Sequence, residues 1–313
     1  MLGIAREVFM SLLDGLITMG HMTEALFHFN HAHGMQNGHP SKVDVARTMF
    51  DGLNKLQTEW LMTQTDQQLG EVKAFQEMIL RGLSTDERDT LLQRAEIQNV
   101  VSLNPKIMDH YVLRRGGYRP DVAIEPNLVK DATEVHRKLE NVYRDFCRHS
   151  EEIRERIIKR VAELLYVIRS NIAHGEKTPY GPDLNKRERD EQVCTCIVPL
   201  QELLIDMLLG QPSKKLISYG TLSPGQPNHS LLSDLSGEWK ECTIRGTMTQ
   251  RDGLSRFSWS PNDSEQTANI FTSEDLPDNW GRIDRFEGTG YRRQLIPAIT
   301  QAGIAIGYAY IAI

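Results

Sequence analysis

About the first two thirds of the chain carries apolar residues at helical spacing. Apolar side chains three and four positions apart share one face of a helix, so this spacing predicts amphipathic helices that pack against one another. The capping box Ser84-Thr-Asp-Glu87 marks the start of a short helix that runs to about Ile97. The other predicted helices cover residues 5–29, 43–61, 68–83, 129–148, 151–173 and 187–209.

Two segments interrupt this helical pattern. Residues 28–39 contain four histidines together with Gly34 and Gly38, but no carboxylate or cysteine. We therefore predict a plain loop there, in preference to a metal site. Residues 104–126 have a weaker pattern and are predicted as a loop with short helical pieces. The four histidines are His28, His31, His33 and His39.

The pattern changes to short strand-like runs after about residue 212. These runs alternate with Gly, Pro, Asn and Asp, which favour turns. Residues 252–265 look irregular. We predict an α+β chain with a helical domain at 1–212 and a small mixed β domain at 213–313. The predicted strands are 216–219, 239–248, 267–272, 294–299 and 304–313.

Composition and charge narrow the class of protein. With 40% hydrophobic and 25% charged residues, the chain resembles a water-soluble globular protein. The net charge of -6 argues against broad electrostatic binding to nucleic acid, although a local basic cleft stays open. No apolar run is long enough for a membrane span, and the start of the chain does not resemble a signal peptide. Cys194 and Cys196 lack a second pair at zinc spacing, so we expect a reduced cytoplasmic protein without metal or cofactor.

The helix predicted at 151–173 ends in a group of polar residues. Arg169, Asn171 and His174 fall in or just beyond its last two turns, and Gly175 suits the left-handed turn that ends helices. At about 100° per residue, Arg169 and His174 lie about 140° apart, whereas Asn171 and His174 share a face. The helix dipole favours a protonated imidazole at this end. A cation, an amide and an imidazole together are useful against a phosphate.

This helix end resembles the Arg-x4-6-His motif of HEPN domains, and the resemblance covers residues 125–210. It implies a helical bundle that forms a homodimer and cleaves RNA without metal. Under the resemblance, His174 exchanges the proton of the attacking 2′-hydroxyl and Arg169 stabilises charge on the phosphate. Asn171 orients the imidazole or the phosphate. The alternative is a HEPN dimerisation module that cleaves nothing.

A second set of motifs lies in the strand-rich part. Residues 217–228 read as a strand that runs into a Gly-rich turn, beginning with Tyr219-Gly-Thr-Leu222. Ile283-Asp-Arg-Phe-Glu-Gly288 and Tyr291-Arg-Arg293 follow, and a closing strand contains Gly307-Tyr-Ala-Tyr310. Together these elements resemble the γ-glutamylcyclotransferase-like (AIG2-like) family, which implies a small mixed β-barrel.

The second resemblance also implies a site. Tyr219, Gly220, Thr221 and Leu222 would form a loop whose backbone N–H groups hold a carboxylate, with Tyr291 near the pocket. Glu287 would act as general base on the substrate's α-ammonium, and the amine would then attack its own γ-carbonyl. Glu287 would next protonate the leaving amine, and 5-oxoproline would depart. The alternative for Glu287 is a surface carboxylate paired with a neighbouring arginine, namely Arg282, Arg285 or Arg292.

Three hypotheses about function follow from the sequence. The leading hypothesis is a metal-independent HEPN RNA endonuclease whose cyclotransferase-like domain processes or senses a γ-glutamyl-type small molecule, in a toxin or defence role suggested by the family. The second is a γ-glutamyl amine cyclotransferase in which the helices serve as a dimeric scaffold. The third is a regulatory binding protein with both sites inert.

Overall fold

The computed structural model describes residues 20–36, 38, 41–64, 69–103, 132–146, 150–173, 184–251 and 254–313. By its internal contacts the chain divides into two compact units. One comprises His31–Ile205, and the other joins Asp206–Ile313 to a segment that ends at Asn30. His39, His174 and the predicted loop at 104–126 lie outside the described residues.

Within the described residues, helices form in the predicted segments, except that the helix predicted from Ser84 to Ile97 is two helices that meet at Arg94. Residues 5–19 of the first predicted helix lie outside the described residues. The capping box is present, with the Ser84 side chain bound by the Glu87 N–H and the Glu87 carboxylate bound by the Ser84 N–H. Ser41 caps the second described helix by accepting from the Val43 N–H. In chain order the helices are α1 His21–Gln36, α2 Lys42–Met62, α3 Glu71–Gly82, α4 Thr85–Gln93, α5 Ala95–Val101, α6 Ala132–Tyr143, α7 Glu151–Ala173 and α8 Leu184–Leu208.

Helix α7 is central to the helical unit because it packs against α2, α3, α4 and α6. Its apolar stripe, which includes Ile157, Leu164 and Ile168, is fully buried. Residues at this spacing share one face of a helix, so the stripe places the C-terminal half of α7 deep in the unit. No helix of the described chain combines the length and the apolar character needed to cross a membrane.

The loop predicted at residues 28–39 was wrong, because α1 continues to Gln36. The apolar residues Met22, Ala25, Leu26, Phe29 and Ala32 are all buried, and their spacing extends the helical stripe through the histidines. Burial of that face stabilises the helix more than the glycine disfavours it. Among the described residues, no three His, Cys, Asp or Glu side chains are grouped to hold a metal ion.

The strand-rich unit contains a mixed β-barrel. The sheet has the order β3-β2-β4-β1-β6-β5, and a further pairing of β2 with β5 at Thr243 and Ile299 closes five of its strands. The pairing of β1 with β6 is parallel and the others are antiparallel. The strands are β1 Lys215–Ser218, β2 Glu238–Arg251, β3 Leu254–Trp259, β4 Glu265–Thr272, β5 Tyr291–Thr300 and β6 Gly303–Ala312.

Two elements of this unit did not follow from the sequence. Strand β3 lies in the segment predicted to be irregular, and it pairs with β2 from Gly246↔Trp259 to Arg251↔Leu254. Its apolar residues do not alternate strictly, so pairing with β2 determines its conformation. Helix α9, Leu276–Glu287, was not predicted because only Leu276, Trp280 and Ile283 form its buried stripe.

Successive residues of β1 face opposite sides of the sheet. Ile217 lies in the barrel core with Ile244, Phe257 and Ile296. Leu216 lies in a second cluster that holds the buried residues of α9 against the barrel. This packing brings the end of α9 close to the end of β1.

Candidate active site

A pocket with a cavity volume of about 190 Å³ opens in the barrel unit. It lies where β1 and the following loop meet the end of α9, the start of β5 and the end of β6. All six residues that the sequence assigned to a cyclotransferase-like site line this pocket. The lining residues are Leu216, Ile217, Ser218, Tyr219, Gly220, Thr221, Leu222, Asn228, Phe286, Glu287, Tyr291 and Tyr310.

Glu287 is the last residue of α9 and is half-buried. Burial raises the pKa of its carboxyl from 4.5 to about 7, because removal from water disfavours the charged form. Gly288 follows with a φ of 69°, a left-handed conformation that favours glycine and ends the helix. A carboxyl with this pKa can both accept and return a proton near neutral pH.

Two of the three arginines near Glu287 in sequence have other partners. Arg282 forms a bidentate ion pair with Asp234, with N–O distances of 2.6 and 2.9 Å. Arg285 donates to the carbonyl oxygen of Gly281 at 3.0 Å. No ion pair within the described part of the chain involves Glu287. The structure therefore does not support the alternative of a surface ion pair for this carboxylate.

Tyr219 and Tyr310 form one wall of the pocket. The Tyr219 hydroxyl donates to the main-chain carbonyl of Tyr310, and its ring packs 5.0 Å from that of Phe257. Burial raises the pKa of Tyr219, and the charge of Glu287 raises it further. The Tyr310 hydroxyl donates to Asp284 at 2.6 Å. Burial raises the pKa of Tyr310, and so does this hydrogen bond, so both phenols stay neutral.

Asp284 is in turn held by Arg293. The Arg293 Nε lies 3.1 Å from an Asp284 oxygen, and its guanidinium lies 4.6 Å from the centre of the Trp280 ring. The arginine is thus fixed by both an ion pair and a cation–π contact. This network ties the last two turns of α9 to β5 and β6, and so positions the helix end that carries Glu287.

The carbonyl oxygens of the loop after β1 accept hydrogen bonds from residues further along the same loop. The carbonyls of residues 220–222 accept hydrogen bonds in turn from the Ser223 N–H at 3.1 Å, the Asn228 N–H at 3.0 Å and the His229 Nδ1 at 3.2 Å. The C=O and N–H of a trans peptide point in opposite directions. The Thr221 and Leu222 N–H groups share peptides with the Gly220 and Thr221 carbonyls, so they point away from the hydrogen bonds that these carbonyls accept.

The N–H groups of Gly220, Thr221 and Leu222 donate in none of the main-chain hydrogen bonds of this described loop. A Cβ added to Gly220 would meet open space, so the backbone there is accessible. Successive N–H groups in a suitable turn conformation can form a concave site for an anion. The loop can therefore receive a carboxylate next to Glu287.

Sequence reasoning missed other residues of the pocket, including Asn228, Phe286 and Tyr310. Phe286 and Tyr310 belong to the quoted motifs, and Asn228 ends the quoted turn. Their position next to motif residues was the available signal. Phe286 is 43% exposed.

The helix-end residues of the helical unit occupy a different environment. The Arg169 guanidinium lies 3.9 Å from the Glu71 carboxylate and 5.6 Å from the centre of the Tyr166 ring. The Tyr166 hydroxyl donates to Glu71, and burial together with this contact raises its pKa to about 12. Asn171 is fully buried. His174 lies outside the described residues.

Comparisons with known proteins find structural likeness for part of the chain. No family model and no curated protein matches the sequence. YkqA from Bacillus subtilis is similar at 23% identity and a TM-score of 0.28, over 32% of this chain and 35% of that one. An uncharacterized protein from Pyrococcus horikoshii is similar at 20% identity and a TM-score of 0.25, over 31% of this chain and 76% of that one.

An AIG2-like protein from Mus musculus is similar at 18% identity and a TM-score of 0.27, over 32% of this chain and 76% of that one. Each of these likenesses thus covers about a third of this chain. The chain spans about a third of the length of YkqA.

Proposed function

We propose that the barrel pocket is the active site of a γ-glutamyl cyclotransferase, which converts a γ-glutamyl amine into 5-oxoproline and a free amine. One observation carries the proposal: Glu287, with a pKa of about 7, lines the same pocket as the unused N–H groups of residues 220–222. The first feature is a base suited to neutral pH, and the second is a holder for the substrate's α-carboxylate. The motif resemblance supports the same assignment.

In the proposed reaction, Glu287 takes one proton from the substrate's α-ammonium. The freed amine attacks the γ-carbonyl carbon, and a carbon–nitrogen bond closes the five-membered ring. Glu287 gives its proton to the departing nitrogen as the original amide bond breaks and the carbonyl re-forms. The second proton of the attacking nitrogen follows the same route, so the amine leaves as an ammonium ion and the protons balance.

The pocket favours this reaction for two reasons. The attacking and attacked atoms belong to one molecule, so holding the α-carboxylate in the loop fixes their approach. The raised pKa of Glu287 matches the pH at which it must both take and return a proton. The tyrosines beside it stay neutral and supply a wall without competing for that proton.

The test is release of 5-oxoproline from a γ-glutamyl amine by the full chain. Wild type should release it, and Glu287→Gln should reduce kcat/KM by at least about 100-fold, the usual contribution of a general base. Asp278→Asn is the matched control, because Asp278 is an exposed carboxylate in the first turn of the same helix. No 5-oxoproline from wild type, or full activity in Glu287→Gln, contradicts the proposal.

The RNase activity inferred from Arg169, Asn171 and His174 stays a prediction, as do the RNA partner and the homodimer. The resemblance of the end of α7 to the HEPN motif is what motivates it. Metal-free digestion of RNA should occur with wild type and be lost in His174→Ala, whereas Glu287→Gln should still cleave. If neither protein cleaves RNA, the predicted activity is absent. If both cleave it equally, His174 is not the catalytic residue.

A further inference from the structure

His229 is held in one orientation beside the pocket loop. Its Nδ1 lies 3.2 Å from the carbonyl oxygen of Leu222, and a carbonyl can only accept, so the ring carries its proton on Nδ1. The ring packs 5.5 Å from the centre of Trp239, which stacks at 4.8 Å on buried Phe271. His229 is not among the residues that line the pocket.

The bond from His229 begins a relay of peptide groups that leads to the pocket. The Leu222 carbonyl shares its peptide with the Ser223 N–H, which donates to the Gly220 carbonyl at 3.1 Å. The Gly220 carbonyl shares its peptide with the Thr221 N–H. Because each peptide is planar, fixing the direction of its carbonyl also fixes the direction of its N–H. The last group of the relay belongs to Thr221, which lines the pocket.

We propose that His229 is a positioning residue that aims the Thr221 N–H at the substrate's α-carboxylate through the Leu222 and Gly220 peptides. The proposal rests on the proposed cyclotransferase function. Hydrogen bonds in a chain polarise one another, so the donor at one end also strengthens the N–H at the other. Of the three tethers on the loop carbonyls, only the one to Leu222 is made by a side chain, so it is the one that a substitution can remove.

Two variants separate the hydrogen bond from the packing of the ring. His229→Phe keeps an aromatic ring against Trp239 and removes the donor. His229→Asn places an amide N–H near the position of Nδ1 and removes the ring. The positioning role predicts that the phenylalanine variant raises KM for a γ-glutamyl amine about tenfold with little change in kcat, because carboxylate binding weakens. The asparagine variant should return KM toward the wild-type value.

Amide hydrogen exchange tests the relay without any substrate. In the full chain, the Ser223 N–H should exchange faster in His229→Phe than in wild type, because its bond to Gly220 loosens, and His229→Asn should restore protection. Unchanged Ser223 exchange in His229→Phe, or equal exchange and KM in the two variants, overturns the positioning role and assigns His229 to packing alone. If wild type releases no 5-oxoproline while exchange responds as expected, the relay stands and the cyclotransferase proposal fails.

Discussion

The barrel pocket and the end of α7 show two opposite relations between sequence distance and spatial distance. Tyr219 and Glu287 are far apart in the chain, yet they line one pocket because α9 packs against the barrel. Arg169 and Asn171 are two positions apart, but one is a partly exposed cation beside Glu71 and the other is fully buried. Two positions along a helix turn the side chain through about 200°, so neighbours in a short motif need not share a surface.

The comparison shows which kind of motif is more informative about a site. Motifs from distant parts of the chain line one pocket only if the fold brings them together. A short motif on a single helix can occur without any tertiary contact between its residues, and those residues can fill the core as readily as they can bind a substrate.

The largest expected effect is the pH dependence of cyclotransferase activity. Glu287 must be ionised in the free enzyme to take a proton, so kcat/KM should fall below its pKa of about 7. A tenfold loss per pH unit gives about a 100-fold loss at pH 5. Initial rates of 5-oxoproline release from pH 5 to 9 measure this, with Asp278→Asn as the control that keeps the same profile. An acid limb near pH 4.5 would show that the carboxyl is not perturbed.

A smaller effect should separate the two α7 residues by stability. Asn171→Ala should lower the free energy of unfolding by about 2 kcal/mol, because it removes a fully buried side chain and leaves a void in the helical unit. Arg169→Ala should cost less than about 1 kcal/mol, because its carboxylate contact with Glu71 is long and partly exposed. Chemical denaturation of both variants decides the order. A larger loss of stability in Arg169→Ala than in Asn171→Ala would contradict the assignment of Asn171 as the buried structural residue and Arg169 as the exposed one.

The smallest effect is a gain of stability at the pocket. The pKa of Glu287 is higher in the folded protein than its ordinary 4.5, so folding favours the protonated form and the charged form destabilises the fold as pH rises from 4.5 to 7. Glu287→Gln removes that penalty. The free energy of unfolding of Glu287→Gln minus that of wild type should be about 1–2 kcal/mol larger at pH 7 than at pH 4.5, after allowance for remaining solvent contact. Denaturation at both pH values measures the difference, and equal differences at the two would contradict it.

Local patterns predicted much of the secondary structure. The spacing of apolar residues and the box at Ser84 predicted helices that the structure contains. The same reasoning failed at His28–His33, where histidines and glycine suggested a loop although Ala32 continues the buried stripe. It also failed at β3, whose residues become a strand through pairing with β2, and at α9, whose stripe has only three buried positions.

The sequence by itself determined most of the helix-forming and strand-forming segments, apart from the end of α1, β3 and α9, and the motif residues around Tyr219 and Glu287, because these depend on neighbours along the chain. Tertiary structure alone decided that the barrel closes between β2 and β5 and that Glu287 loses enough water to raise its pKa. These properties depend on groups that are distant in sequence, and burial and hydrogen-bond direction are set only when packing brings those groups together.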